Sequence, residues 1–334
     1  MSKYIIKRFL ISIITLFAVL FCAYALMYNL PENYAEIVAR EMSLISGSER
    51  SAEEWERILT SEYGLNKGMF EGFAIWLSDA VKGNFGDSWY YGISVTEKFY
   101  PSFINSLTLG VISAFGTLIV SVFFGVYTAS GKNKNLSRLI SIASVVVISI
   151  PSFFIVALLK YIFAVELGWF DLGGLKSFNS VDFTAEEAFW DRVSHLVLPI
   201  SAIIITSSGT LMRYVNINIK ELIGSRYVKG LRAKGLDKKS IVSSHLMKNV
   251  AVPIINLFCT MIPTALAGSI VIETLFSIDG VGYVAYTALI NGDIPMIMFY
   301  ILHTTLLTVG FSFVADVLCS IVDYRVANSL TGRN

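Results

Sequence analysis

Six stretches of this sequence are each apolar over a length that can cross a bilayer, and that requirement governs everything else the chain can fold into. A hydrocarbon core about 30 Å thick takes roughly 20 helical residues. Segments of about that length fall near residues 9–30, 103–130, 139–167, 195–211, 252–276 and 296–322. Only 15% of the residues are charged, against roughly 25% in soluble domains, so most of the surface must face lipid or other apolar helices. These observations predict an all-α membrane protein with six transmembrane helices. A net charge of +1 argues against a nucleic-acid partner, which would require a basic surplus. Cys22, Cys259 and Cys319 lie in or beside apolar runs without ligand-like spacing, as small apolar fillers do, so no metal site is expected.

The first segment follows Lys3, Lys7 and Arg8 and passes through "AYA" at 23–25, which resembles a cleavage site. Its apolar run continues through Leu30, past the length of a signal core, so a retained span is expected. Basic residues set orientation. Lys132, Lys134 and Arg138 follow span two, the most basic block follows span four, and Arg325 and Arg333 lie in the tail. With six spans, all of these fall on one side, which places both termini in the cytoplasm. The opposite side receives 31–102, where acids outnumber bases. Within it, "SAEEWERILTSEYGL" carries Ser51 and Glu54 at capping-box spacing and ends at Gly64, and "FEGFAIWLSDAV" is amphipathic. The expected organisation is an N-terminal span over 1–30, a folded outer cap over 31–102, and a core of five spans over 103–334 containing a cytoplasmic loop at 213–251.

That loop holds "SRYVKGLRAKGLDKKSIVSSHLMKNVAVP", dense in lysine and arginine with Asp237 as its one acid. Gly235 after Lys234 reads as a helix terminus, and Asp237 before Lys238, Lys239, Ser240 and Ile241 reads as a new N-cap. Tyr227 and Leu231 are expected to share one face, and Val242, Leu246 and Val250 another. Orientation and contact with anionic lipid need only charge. A helical hairpin with apolar stripes and a glycine break has the form of a docking element for a cytoplasmic partner.

The block resembles the cytoplasmic loop of bacterial binding-protein-dependent ABC transporter permeases of the oligopeptide and dipeptide (peptide/nickel) type, whose loop reads close to Y-V-R-T-A-R-A-K-G-L followed by R-N-A-L-x-P. Tyr227, Val228, Arg232, Ala233, Lys234, Gly235 and Leu236 match the first part, and His245, Asn249 and Pro253 the second. "SIPSFFIVALLKYIFAVELGWF", "GNFGDSWYYGISVTEKFYPSFINSLTLG", "GSIVIETLFSIDGVGYV" and "DVLCSIVDYRV" extend the likeness over nearly the whole chain. It departs at Lys229, Gly230 and Leu231, where the general permease signature has Glu-Ala-Ala, at Cys319 and Tyr324 in the tail, and in "LPENYAEIVAREMSLISG".

The resemblance implies a type I importer permease in a bacterial inner membrane, carrying peptides, with nickel chelates or oligosaccharides as the alternative cargo. Its implied partners are a second permease, a different chain in this family's usual arrangement, two cytoplasmic ATPases that bind ATP and Mg, and an extracytoplasmic binding protein. No cofactor is expected on this chain, which contains no G-x-x-x-x-G-K-[ST] loop and so is not read as an enzyme. Tyr227, Leu231, Arg232, Ala233, Lys234, Gly235, Leu236, Asp237, Ile241 and His245 would then form the ATPase-coupling loop.

Pro151, Lys160, Glu273 and His303 are candidate pathway or gate residues, because proline and ionisable groups inside spans require special surroundings. Lys160 has Glu166 within reach as a partner, and Asp316 has Arg325. Two rival classes remain. An ion-coupled secondary transporter needs midplane ionisable groups and repeated halves, whereas only His303 is central and no repeat is visible. A membrane enzyme would need a pair such as "TSSGT" at 206–210 with His303, but small hydroxyl residues in spans more often pack helices.

Overall fold

The computed structural model describes residues 2–29, 34–44, 50–62, 66–131, 133–237 and 240–322. The expected Gly64 stop, Lys132, Lys238, Lys239, Asp323, Tyr324, Arg325 and Arg333 lie outside the described residues, as do the side chains of Val242, Asn249, Pro253 and Cys319.

Described secondary structure is almost wholly helical. The long helices are α1 (Ser2–Tyr28), α5 (Val95–Ser130), α8 (Ala185–Ile223) and α13 (Ile294–Val322). All four are long and apolar enough to cross a membrane. The third apolar segment is not one straight helix. It consists of α6 (Lys134–Ser149) and α7 (Ser152–Lys160), bent by 106° at a break that includes Pro151. Proline lacks the N–H that a continuous helix needs there. A π-helical turn, Tyr161–Glu166, follows α7. The fifth segment is also divided, into α10 (Met247–Leu266) and α11 (Ile270–Leu275), with Gly268 at φ +82° between them.

Helix α8 has 39 residues, about 58 Å at 1.5 Å per residue, which exceeds the roughly 30 Å of hydrocarbon. Its early start has a local cause, because Thr184 and Glu187 form a reciprocal capping box, Glu187 N to Thr184 Oγ1 at 3.3 Å and Thr184 N to Glu187 Oε2 at 2.8 Å. Two hydrogen bonds to the carboxylate, from Thr184 N and Thr184 Oγ1, hold the Glu187 carboxyl below its ordinary range.

Helices α5 and α8 form the spine. Small residues let their backbones close up: a Cβ at Gly125 would lie 2.7 Å from Val215 Cβ. Asn216 Nδ2 donates to Thr128 Oγ1 at 2.7 Å, and Ser121 Oγ donates to the Ser208 carbonyl at 3.1 Å. Helix α10 lies against α5 so closely that a Cβ at Gly110 would meet the Ala265 carbonyl oxygen at 2.5 Å. Gly209 of "TSSGT" is a packing residue too, since a Cβ there would meet Ile148 Cγ1 at 2.9 Å.

Between α1 and α5 the chain folds into α2 (Tyr34–Leu44), α3 (Ala52–Glu62) and α4 (Met69–Val81). The Ser51 capping box forms as expected, with Ser51 N to Glu54 Oε2 at 3.0 Å and Glu54 N to Ser51 Oγ at 3.3 Å. Val38, Ala39, Leu59 and Trp76 of these helices bury against Leu20 and Tyr24 of α1 and Ile294 and Met298 of α13. At the far end of the same helices Arg8 pairs with Asp316 at 3.3 Å. The N-terminal end of α1 therefore sits beside the C-terminal end of α13, and Asp316 has Arg8 for a partner.

Candidate functional site

The basic block folds as helix, glycine turn, helix. Ser225 Oγ accepts from Val228 N at 3.4 Å and opens α9 (Arg226–Ala233). The helix closes with Gly235 N donating to the Arg232 carbonyl at 2.9 Å and Leu236 N to the Leu231 carbonyl at 3.3 Å. That is the paired hydrogen-bond pattern of a left-handed terminus, and Gly235 has φ +82°. Asp237 Oδ2 accepts from Ser240 N at 3.4 Å, three residues on, as an N-cap does. A π-helical turn, Ile241–Leu246, then leads into α10.

The apolar stripe is not quite the expected one. Val228 and Leu231 are the buried residues of α9, packed with Ile241, Leu246 and Val250 against Leu211, Val215 and Ile219 of α8. Tyr227 is exposed instead, with its hydroxyl 3.2 Å from His245 Nδ1. Position 227 lies about 100° around the helix from 228, so only one of them can follow Leu231 inward. The hairpin's apolar side is thus anchored within the chain. Its free side shows Arg226, Lys229, Arg232 and Lys234 with Gly230, Ala233 and Gly235 among them, and a Cβ at Gly230 or Gly235 would meet nothing within 4 Å. This is a cationic surface with small residues that let another backbone approach closely.

A second feature lies deeper. A cavity of about 440 Å³ opens between α5, α8 and α10, with Ser152 at the head of α7. Thr117, Thr206, Ser207, Thr260, Thr264 and Ser269 contribute hydroxyls, and among the described residues no charged one lines it. Thr117 Oγ1 is buried and has no hydrogen-bond partner among the described residues. The arrangement can hydrogen-bond a polar solute without trapping a charge. Hydroxyls spread over five segments share no motif, so beyond "TSSGT" no local pattern signals the cavity.

Three of the candidate pathway residues stand apart from this cavity. Glu273 is fully buried. Its carboxylate accepts from Ser106 Oγ at 2.8 Å, Ser269 N at 3.2 Å and Tyr283 N at 2.9 Å. Gly280 and Gly282 close around it; at Gly280 a Cβ would lie 2.5 Å from Glu273 Cδ. It holds α11 to α5 and to α12 (Val281–Ile290), while its neighbours Ser269 and Ile272 line the cavity. His303 is ringed by Phe99, Phe103 and Phe299, at centroid distances of 4.9, 4.6 and 6.2 Å. It faces this aromatic group rather than the serines and threonines of the cavity, which removes the structural basis for a serine–histidine pair. Lys160 Nζ donates to the Leu275 carbonyl at 2.5 Å and lies 5.5 Å from the Phe276 ring centroid. Glu166 bonds Tyr161 instead, because the π turn brings that hydroxyl to it. Pro151 is exposed at the α6–α7 bend, directly before the cavity residue Ser152.

One more carboxylate went unnoticed in the sequence. Asp293, fully buried just before α13, accepts from Ser88 Oγ, Trp89 N at 3.2 Å, Tyr90 N at 3.3 Å and Met296 N at 3.3 Å. Burial raises its pKa above the ordinary value, outweighing the four donors that lower it.

A bundle with helices apolar enough to cross a membrane, a hydroxyl-lined cavity within it and an anchored cationic hairpin at one end have the form of a membrane transport subunit. The chain belongs to the binding-protein-dependent transport system inner membrane component family, which matches residues 121–328. It is 30% identical over 98% of its length to the oligopeptide transport system permease protein AppB of Bacillus subtilis, covering 99% of that protein. It is 28% identical to the dipeptide transport system permease protein DppB of Lactococcus lactis, covering 98% of this chain and 99% of that one. The metal-staphylopine import system permease protein CntB of Staphylococcus aureus is also 28% identical, with 98% of each chain covered. An inward-facing MetNI methionine ABC transporter superimposes with a TM-score of 0.51 at 18% identity, covering 67% of this chain and 95% of that one, a likeness of fold. The protein is therefore a multi-pass inner-membrane permease of an ABC importer, a class that works with ATPase and substrate-binding partners.

Proposed function

We propose that this permease forms half of the pathway of an oligo- or dipeptide importer. In this reading it crosses the bilayer six times with both termini in the cytoplasm, and 31–102 forms a cap on the outer face. The second half is a different permease chain, two ATPases carry ATP and Mg, and a binding protein delivers cargo from outside. The observation that carries the reading is the two-sided hairpin. Val228 and Leu231 fasten it to α8, so force applied to its exposed cationic side moves the bundle rather than a loose loop. The pairing of Arg8 with Asp316 supports placing both termini on one side. ATP binding biases the equilibrium through the ATPases, and the hairpin transmits that bias.

Peptide cargo is supported by full-length similarity to AppB and DppB and by the neutral hydroxyl lining, which suits amide groups whatever the side chains. Similarity to CntB favours one second reading, a metal chelate as cargo. The test is to purify the tagged chain from native membranes with whatever assembles on it, reconstitute it, and measure ATP-driven uptake of a labelled dipeptide and of a labelled nickel chelate. Dipeptide uptake abolished by Gly235→Pro supports the reading. Recovery of the chain without ATPases, or uptake indifferent to Gly235→Pro, overturns it.

A further inference from the structure

A second cavity, of about 320 Å³, lies between α6 and α8. On α8 it is lined by Arg213, Ile217 and Lys220, at the i, i+4 and i+7 positions of one face; on α6 by Arg138, Ser141 and Ile142. The helices run in opposite directions, so Arg138 and Lys220 share its mouth. Arg213 stands two turns deeper, about 10 Å along α8, within reach of the same level through its long side chain. None of the three cations has a salt-bridge partner among the described residues, and the lining contains no acid. Between the mouth and Arg213 the groove carries open aliphatic surface, with Ile142 52% and Ile217 56% exposed, beside the buried Asn216. Gly209 closes the deep end against Ser144, where a Cβ would lie 3.1 Å from the Ser144 carbonyl oxygen.

This groove inverts the chemistry of the central cavity, which is hydroxylated and uncharged. A water-filled path would not be walled by exposed isoleucines, and a dry packing surface would not carry three cations without an acidic partner among the described residues. Cations on both helices flanking exposed aliphatic side chains complement a single kind of occupant, an amphiphile with an anionic head. We propose that the groove binds one anionic phospholipid, its phosphate held by Arg138, Arg213 and Lys220 and its acyl chains along Ile142 and Ile217. The leaflet it comes from, the cytoplasmic one, rests on the topology proposed above; the chemistry of the site does not. The lipid would brace α6 against α8, next to the bend at Pro151 and directly above the hairpin.

Native mass spectrometry of the assembled transporter, purified through a tag on this chain, tests the site by competing phosphatidylglycerol against phosphatidylcholine with identical acyl chains. The wild type should retain phosphatidylglycerol in preference. Arg138→Gln combined with Arg213→Gln and Lys220→Gln should cut that preference on the order of 100-fold, at about fivefold per cation. Millimolar inorganic phosphate should not displace the lipid. Equal retention of the two lipids, an unchanged preference in the triple variant, or displacement by phosphate, which would indicate a free-anion site, each overturns the proposal. Should the triple variant fail to assemble, Arg138→Gln alone decides it, with about a fivefold loss expected.

Discussion

Two glycine-containing turns cap opposite ends of this bundle, and they are built on opposite principles. In the turn around Glu273 the glycines have no room: a Cβ at Gly280 would stand 2.5 Å from both Glu273 Oε2 and Ser106 Oγ. In the hairpin around Gly235 they have nothing but room, with no atom within 4 Å of a Cβ at Gly230 or Gly235. The first turn is closed by buried hydrogen bonds and holds three segments, α5, α11 and α12, in one fixed arrangement. The second is fastened on one side only and leaves its polar side for contact. A protein that must move as a unit when gripped at one end needs both, a rigid joint near the cavity and a handle away from it.

The largest expected effect breaks the joint. Gly280→Val should cost more than about 3 kcal/mol, the upper range for inserting bulk into a filled core, and leave little folded protein by fluorescence-detected size exclusion. Gly230→Ala is the matched control. Its added methyl meets open space in a helix, so it should be neutral or stabilising by up to about 1 kcal/mol. Equal losses in the two variants would erase the contrast between a filled and an open turn.

Glu273→Ala comes next. It strands the Ser106 hydroxyl and the Ser269 and Tyr283 amides in a buried site, and each unsatisfied donor costs roughly 1–3 kcal/mol, not additively. Thermal unfolding of the purified transporter should show a clear drop, with Glu273→Gln intermediate because one carbonyl oxygen still accepts. If Glu273 instead acts on cargo, transport would fall while thermal stability stays unchanged, and the joint would have to be reread as part of the pathway.

Asp293→Asn is expected to cost somewhat less, roughly 1–3 kcal/mol, because the amide retains one acceptor for Trp89, Tyr90 and Met296. Its pH behaviour has a definite sign. A carboxyl whose folded pKa is raised binds its proton more readily folded than unfolded, so the associated stability is fully present below the ordinary value of 3.8 and lost as pH rises through the raised one. The gap between wild type and Asp293→Asn should therefore narrow as pH rises across that window. A gap that widens there would mean that the four donors, not burial, set the balance.

How far the sequence could be read follows the same division. Features that depend on neighbours in the chain were legible: the Ser51 capping box, the Gly235 terminus, the Asp237 N-cap, and the apolar runs that became α1, α5, α8 and α13. Features made by distant segments meeting were not. Glu273 has Ser106 from α5 as a partner, Asp293 has Ser88, and Lys160 takes a carbonyl from α11, none of which any local spacing encodes. Pro151 is legible as a residue that needs special surroundings within a span, but not as a bend of 106° between two helices, since a proline permits a kink without setting its angle. On α9 the sequence reading paired Tyr227 with Leu231, whereas Val228 takes the inward place, because the position of α8 decides which of the two turns in.

The smallest expected change in stability comes from the handle itself, and it tests the comparison most directly. Lys229→Glu with Arg232→Glu alters two exposed side chains on the free side of α9 and leaves Val228 and Leu231 in place. Exposed substitutions of this sort shift stability by no more than about 0.5 kcal/mol, so thermal unfolding of the permease should be unchanged. Uptake and co-purification of ATPase should nonetheless fall roughly tenfold or more, since setting like charges against an acidic partner surface costs several kcal/mol of binding. Leu231→Asp is the counterpart from the anchored side: it should lower stability and coupling together, because it detaches the hairpin from α8. If the double charge reversal left ATPase recovery and uptake intact, the cationic face would be serving orientation in the membrane alone, and the grip would have to be sought on another part of the 213–251 loop.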